Sequence, residues 1–315
     1  MKILFITSNR VGDAVLSTGL LELLVARHPE ARFTIACGPY AAGLFRAVPR
    51  LERLIVLEKK SWNRHWLELW RAASGTRWDL IVDLRDSIVS RLLRAQKRYV
   101  RGRSRGEHKV LENAGMLGIS IPPAPHLWLD EAAEKEATSL LPTQRPLLAL
   151  GPAANWPCKQ WPVERFAALA KKLLGEMALA NGAVVVIAGE NERAQVAPLL
   201  QSLEPERRVE IIGRDLLTVA AALKRCRIFV GNDSGLMHVA AAMRTPTLGL
   251  FGPGYEEIYG PWGPHCAVVR TPESREVLLA RLPNLAARAP NLMTGLTVET
   301  VYKAALALLA KTGKA

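Results

Sequence analysis

A chain of 315 residues is long enough for two domains, and its 49% hydrophobic content excludes wholesale disorder. The 42 Lys and Arg against 29 Asp and Glu leave a net charge of +13. That balance favours partners carrying negative charge (nucleic acid, an anionic membrane or a phosphorylated small molecule) without choosing among them.

The chain opens on an apolar strand, residues 2–7, that lacks the long apolar core and small-residue cleavage site of a signal peptide. No run of about eighteen uncharged apolar residues occurs, so the expected location is cytoplasmic, with any membrane contact peripheral. Cys37, Cys158, Cys226 and Cys266 form no Cys-x-x-Cys pair. A chain of this size rarely needs disulfides, and free thiols in a reducing compartment are expected.

After the loop at 8–12, residues 13–27 read as a helix with Leu16, Leu20, Leu23 and Leu24 on one face, ended by His28-Pro29. Strands follow at 31–37, 51–57 and 80–84. Between the last two, Trp62, Trp66 and Trp70 repeat every four residues, the stripe of a helix packed on a core. Residues 85–109 then carry nine Lys or Arg against two acids. Residues 119–146 are Pro-rich at both ends around an acidic, helix-like segment, 130–141, and read as the tail of one domain and the linker to another. The second half alternates: strands at 147–150, 183–188, 209–212, 228–230 and 246–251, helices at 162–174, 192–203, 217–224 and 236–243. Short β-branched runs separated by helices imply parallel strands with helical crossovers. Two Rossmann-like domains facing a central cleft are the simplest architecture.

Three places can carry chemistry. In Gly231-Asn-Asp-Ser-Gly-Leu-Met-His238 a strand ends and a helix opens, so unpaired N–H groups at the positive end of a macrodipole suit a diphosphate. Asp233 or Ser234 acting as an ordinary helix cap is the competing reading. Lys159 lies between two aromatics in the loop after the 147–150 strand, where it either neutralises phosphate or is merely solvated. Asp13, at the first strand–helix junction, is either that helix's cap or a general base toward a hydroxyl nucleophile. Other templates fail. There is no P-loop, no Gly-x-Gly-x-x-Gly after the first strand, no zinc spacing among the six histidines and no Gly-x-Ser-x-Gly elbow.

Three segments stand in series along the chain: Gly12-Asp13-Ala-Val-Leu-Ser-Thr18, Lys159-Gln-Trp-Pro-Val-Glu-Arg-Phe166, and Gly231-Asn-Asp-Ser-Gly-Leu-Met-His-Val-Ala-Ala-Ala242 with Thr245-Pro-Thr247 and Leu250-Phe-Gly-Pro253 after it. In order and spacing they resemble the signatures of glycosyltransferase family 9, the ADP-heptose lipopolysaccharide heptosyltransferases. The resemblance implies an α/β protein of the GT-B fold: an acceptor-side domain over 1–145, a nucleotide-sugar-binding domain over 146–293 and a C-terminal helix over 294–315. It further implies an inverting, metal-independent transfer of a sugar, heptose from ADP-heptose, onto a lipopolysaccharide core or related acceptor, with no cofactor.

Carried over by position, Asp13 would be the base. Asn155, Lys159, Glu192, Asp233, Ser234, Gly235 and His238 would hold the donor, with Glu190 the alternative to Glu192 at the ribose. Many relatives carry Ser or Thr where this chain has Ala153-Ala154, so a hydroxyl donor to phosphate is missing and Asn155 or backbone N–H groups must serve. An anionic glycolipid acceptor gives the basic residues a use. Lys59, Lys60, Arg64, Arg98, Arg101, Arg103 and Arg105 would form an acceptor-facing surface, with peripheral contact at the inner face of the inner membrane. A solvated charged loop is the plainer reading of the same run. Two other readings remain: a basic nucleic-acid-binding α/β protein, although the arginine run lacks interleaved aromatics and nucleic acid is not the expected partner, and a GT-B scaffold that binds a sugar nucleotide without transferring it.

Overall fold

The computed structural model describes residues 1–104, 106–282 and 291–313, and the chain divides into two compact units, Met1–Asp130 and Glu131–Ala315. In the first unit β1 (Lys2–Ile6), β2 (Arg32–Cys37), β3 (Leu51–Val56), β4 (Trp78–Asp83) and β5 (Ala95–Val100) form a five-stranded sheet in the order β3-β2-β1-β4-β5. Every pairing is parallel. Ile3, Leu4, Phe5 and Ile6 of the central strand are all buried, as a strand covered on both faces requires. The chain winds outward from β1 through β2 to β3, then returns to lay β4 on the other side of β1. The carboxyl ends of β1 and β4 therefore flank a topological switch point, where open α/β sheets bind ligands.

The second unit repeats the plan. β6 (Leu147–Gly151), β7 (Ala183–Ala188), β8 (Arg208–Ile212), β9 (Ile228–Asn232), β10 (Thr247–Phe251) and β11 (Cys266–Arg270) give a six-stranded sheet ordered β11-β10-β9-β6-β7-β8. These strands too are parallel throughout, with the switch point between β6 and β9. Its core joins Leu148, Leu150, Val184 and Val186 of the sheet to Phe166, Leu169 and Leu173 of the helix Val163–Leu173 and to Val301, Ala305 and Leu308 of the terminal helix Val298–Lys311.

Three sequence expectations change here. The helix Arg64–Ala73 buries His65, Leu69 and Ala73, not the tryptophan stripe. Trp66 packs against the core from the side, Trp70 is 40% exposed, and Trp62 precedes the helix at φ 55° and is 95% exposed. Four-residue spacing defined a face correctly, but the neighbouring His65–Leu69–Ala73 face is the one that meets the sheet. The basic run contains an edge strand, β5, whose polar sequence Ala-Gln-Lys-Arg-Tyr-Val disguised it.

The acidic helix Glu131–Leu140 is no linker. Glu134 pairs with Lys224 and Arg225 at 3.0 and 2.5 Å, and Glu136 accepts from the Thr218 hydroxyl at 2.7 Å. These bonds tie it to the helix Leu216–Lys224, so the division falls between Asp130 and Glu131, ahead of the 145/146 boundary read from the sequence. All four cysteines are free. Burial pushes the Cys37 and Cys266 thiols up to about 12. Among the described residues no helix is long and apolar enough to cross a membrane.

Candidate functional site

At the second switch point, β6 and β9 end side by side, with Gly151 opposite Gly231. A Cβ on Gly231 would lie 2.5 Å from the Phe229 ring and 3.0 Å from the Gly151 carbonyl oxygen, so only glycine permits this closeness. Asn232, wholly buried, then staples the loops together. Its Oδ1 accepts from the Trp161 backbone N–H at 3.0 Å, and its Nδ2 donates to the Pro152 carbonyl at 2.7 Å. Lys159, ending the turn Pro157–Lys159, is thereby brought beside Asp233, Nζ to Oδ2 at 2.5 Å.

The sequence reading mentioned Asn232 only as part of a motif. Its role depends on two loops far away in the chain, and no local signal announces it. Replacing it with Ala leaves a buried N–H and a buried C=O unpaired. Asn232→Ala is expected to lower the unfolding free energy by about 1–3 kcal/mol in urea titrations.

The helix Gly235–Ala242 opens immediately beyond, and neither candidate cap serves it. Ser234 stands at the N-cap with extended backbone but makes no capping bond, and its Oγ is buried without a partner. The Asp233 carboxylate is turned to Lys159. Burial raises the Asp233 carboxyl above its ordinary range, Lys159 opposes that rise, and Glu256 adds to it. An uncapped helix start, an orphan hydroxyl and an ammonium meet at one strand end, an arrangement whose chemistry suits an anion. His238 is buried within the same helix.

Asn155 is exposed on the loop after β6, where Ala153 and Ala154 are buried. Past the carboxyl end of β7, Glu192 accepts the Gly189 backbone N–H at 2.8 Å, while the exposed Glu190 pairs with Arg193 at 2.8 Å. Glu190 is therefore already engaged in an ion pair, and Glu192 is braced against the strand end. Among the described residues no cluster of His, Cys, Asp or Glu could hold a metal ion.

In the first unit Asp13 does not cap its helix. The helix is Val11–Arg27 with Arg10 at the N-cap, and Asp13 lies in the first turn, where the macrodipole favours a carboxylate. It is half-buried and lines a cavity of about 350 Å³ at the carboxyl ends of β1 and β4. Lys59 shares that cavity, as do Arg10, His65 and Arg85, which sequence reasoning did not select.

The other proposed acceptor residues are not gathered with them. Lys60 pairs with Glu68 at 2.7 Å. Arg98 donates to the Ser90 and Leu93 carbonyls, each at 2.6 Å, closing the short helix Ile88–Leu92. Arg101 donates to Asn113 at 2.7 Å. Arg64 and Arg103 are exposed, and Arg105 lies outside the described residues.

Residues 105–281 match the model of "Glycosyltransferase family 9 (heptosyltransferase)". The chain is 27% identical to lipopolysaccharide heptosyltransferase 2 of Salmonella typhimurium, covering 86% of this chain and 88% of that one. It is likewise 27% identical to the Escherichia coli K12 enzyme of the same name, with the same coverage. Among solved structures, a family 9 glycosyl transferase from Veillonella parvula superposes with a TM-score of 0.80 at 23% identity, over 98% of this chain and 97% of that one. E. coli ADP-heptose LPS heptosyltransferase II gives 0.78 at 22%, over 99% and 100%. The shared architecture is GT-B.

Proposed function

The chain belongs to glycosyltransferase family 9, and from that premise we propose that it moves heptose from ADP-heptose onto a lipopolysaccharide core acceptor, with inversion at the anomeric carbon. The observation that carries the reading is the anion site of the second unit: Lys159, the uncapped helix start at Gly235 and the orphan Ser234 hydroxyl converge at the carboxyl ends of β6 and β9. That site would hold the diphosphate, Glu192 would meet the ribose, and Asn155 with nearby backbone N–H groups would replace the hydroxyl missing at Ala153-Ala154. Asp13 would take the acceptor's proton as its oxygen bonds to the anomeric carbon and the bond to the leaving phosphate breaks. The charge that develops on ADP falls on Lys159 and the helix N–H groups, fixed dipoles that need no reorganisation. The acceptor is an anionic glycolipid, and reaching it requires peripheral contact with the inner membrane face.

A screen of apparent stability against ADP-, UDP-, GDP- and CMP-sugars, followed by mass-spectrometric detection of product, tests this. A native-state ligand raises apparent stability. The ADP-sugar should raise the melting temperature and yield a heptosylated core. A response confined to another nucleotide, or donor binding without product on any core acceptor, would refute the assignment.

A further inference from the structure

Two neighbouring helices of the first unit turn large apolar side chains to solvent. The helix Arg64–Ala73 buries His65, Leu69 and Ala73 and leaves Leu67 and Trp70 45% and 40% exposed. Beside it, the short helix Ile88–Leu92 buries Val89 and Ser90 and shows Ile88 and Leu92, one turn apart, at 68% and 65% exposure. Arg85 lies over the Trp66 ring, and Trp66 packs on the cluster that holds Val89 and Leu93. The Trp66–Trp70 side of the longer helix therefore faces the strand end from which the shorter helix starts, and the two outward sets adjoin.

Trp62 stands at the head of the longer helix, almost wholly exposed, at φ 55° in the left-handed region that a bulky residue rarely adopts. Singly scattered apolar residues are ordinary on a soluble protein. Five large ones on two adjoining helices and the turn before them mark an interaction surface.

Basic residues surround this face. Residues 58–73 and 86–94 carry six Lys or Arg against three acids. Two of the acids are already paired, Glu68 with Lys60 and Asp86 with Arg91, while Arg64, Arg71 and Arg94 are exposed. An apolar protein partner would match the side chains but not the excess of positive charge. A bilayer with anionic head groups matches both, because tryptophan favours the head-group boundary, aliphatic side chains enter the acyl layer, and Lys or Arg at the rim meet lipid phosphates.

We propose that this face, Trp62, Leu67 and Trp70 with Ile88 and Leu92, docks the chain on an anionic lipid bilayer. The proposal deepens the transfer reading given above and rests on it for the reason a membrane has to be met. None of the five residues belongs to the three signature segments.

Co-sedimentation of the full chain with vesicles, without donor or acceptor, tests it. At physiological salt, vesicles of phosphatidylethanolamine and phosphatidylglycerol should bind the chain about 10-fold more tightly than phosphatidylcholine vesicles, and high salt should erase the difference. The variant Trp62→Ser/Ile88→Ser/Leu92→Ser should bind the anionic vesicles about 10- to 100-fold less tightly. Its melting temperature should stay close to that of the unaltered chain, because all three side chains are exposed. Its transfer to a lipid-free core oligosaccharide should be unchanged, whereas transfer to the same core embedded in vesicles should fall. Absence of vesicle binding by the unaltered chain, or equal binding by the triple variant, overturns the proposal. A dimer that the triple variant splits, with no vesicle binding, gives the face to a second copy and overturns it as well. The vesicle readout needs no transfer, so vesicle binding that the variant loses, with no transfer by the unaltered chain to any acceptor, upholds the docking face and refutes the proposed function alone.

Discussion

Asp13→Asn is expected to lower kcat for sugar transfer by about 10²–10⁴-fold, the usual contribution of a positioned general base. The amide is nearly isosteric with the carboxylate but cannot accept the hydroxyl proton. The fold should barely notice. Asp13 is half-buried, makes no side-chain bond within the described residues and leaves the N-cap to Arg10. Loss of its favourable interaction with the macrodipole costs about 0.3–1 kcal/mol. Donor affinity by calorimetry should be unchanged, because every residue proposed above to hold the donor belongs to the other unit. An Asp13→Asn enzyme that turns over normally would remove the base from the mechanism. One that also loses ADP binding would show that the substitution acts elsewhere.

Lys159→Met should cost both affinity and stability, and the two losses can be separated by pH. Removing the ammonium takes away the proposed partner of the donor's phosphate and leaves Asp233, whose side chain is 8% exposed, as an unpaired buried charge. Breaking a buried pair from one side costs about 3–5 kcal/mol, and 26% exposure of the Lys159 side chain places this case toward the lower figure. The sign follows from the direction of the Asp233 shift. Its carboxyl is raised by burial while Lys159 lowers it, so without Lys159 it rises further. An acid whose folded pKa exceeds its unfolded value of about 3.9 loses stability as pH rises through the folded value and keeps it at lower pH. The deficit of Lys159→Met in urea unfolding should therefore be greatest near neutrality and shrink in acid. Adding Asp233→Asn should recover stability at neutral pH while ADP affinity stays lost. A pH-independent deficit would mean that Asp233 carries no buried charge.

The parts of the proposed donor site could be picked out because they lie close to strand ends, and strand ends can be read from local pattern. Lys159 and Asp233 fell out of two separate motifs, each following a β-branched run. Their meeting at 2.5 Å needed the parallel pairing of β6 with β9 and the Asn232 staple. The acceptor side was less legible. The sequence reading of the run 85–109 selected Arg98, Arg101, Arg103 and Arg105, and the guanidiniums of the first two are consumed by carbonyls and Asn113. It counted Arg85 at the head of the same run without selecting it, and Arg85 lines the cavity. Composition reports how many cations a segment has, whereas burial and hydrogen bonding decide which of them remain available.

The sequence by itself determined the class of this protein: two α/β units, parallel strands with helical crossovers, a base candidate after the first strand and a candidate anion site where the 228–230 strand gives way to a helix. Each of these rests on periodicity, glycine placement or helix-start chemistry, which act over a few residues. Tertiary structure alone decided that the acidic helix Glu131–Leu140 belongs to the second unit, that Leu69 and Ala73 enter the first core while Trp62 and Trp70 stay exposed, and that Arg10, Lys59, His65 and Arg85 share a cavity with Asp13. The reason is geometric. Strand order sets which loops become neighbours, and the winding that lays β4 beside β1 brings residue 85 next to residue 9 across a separation no local pattern spans.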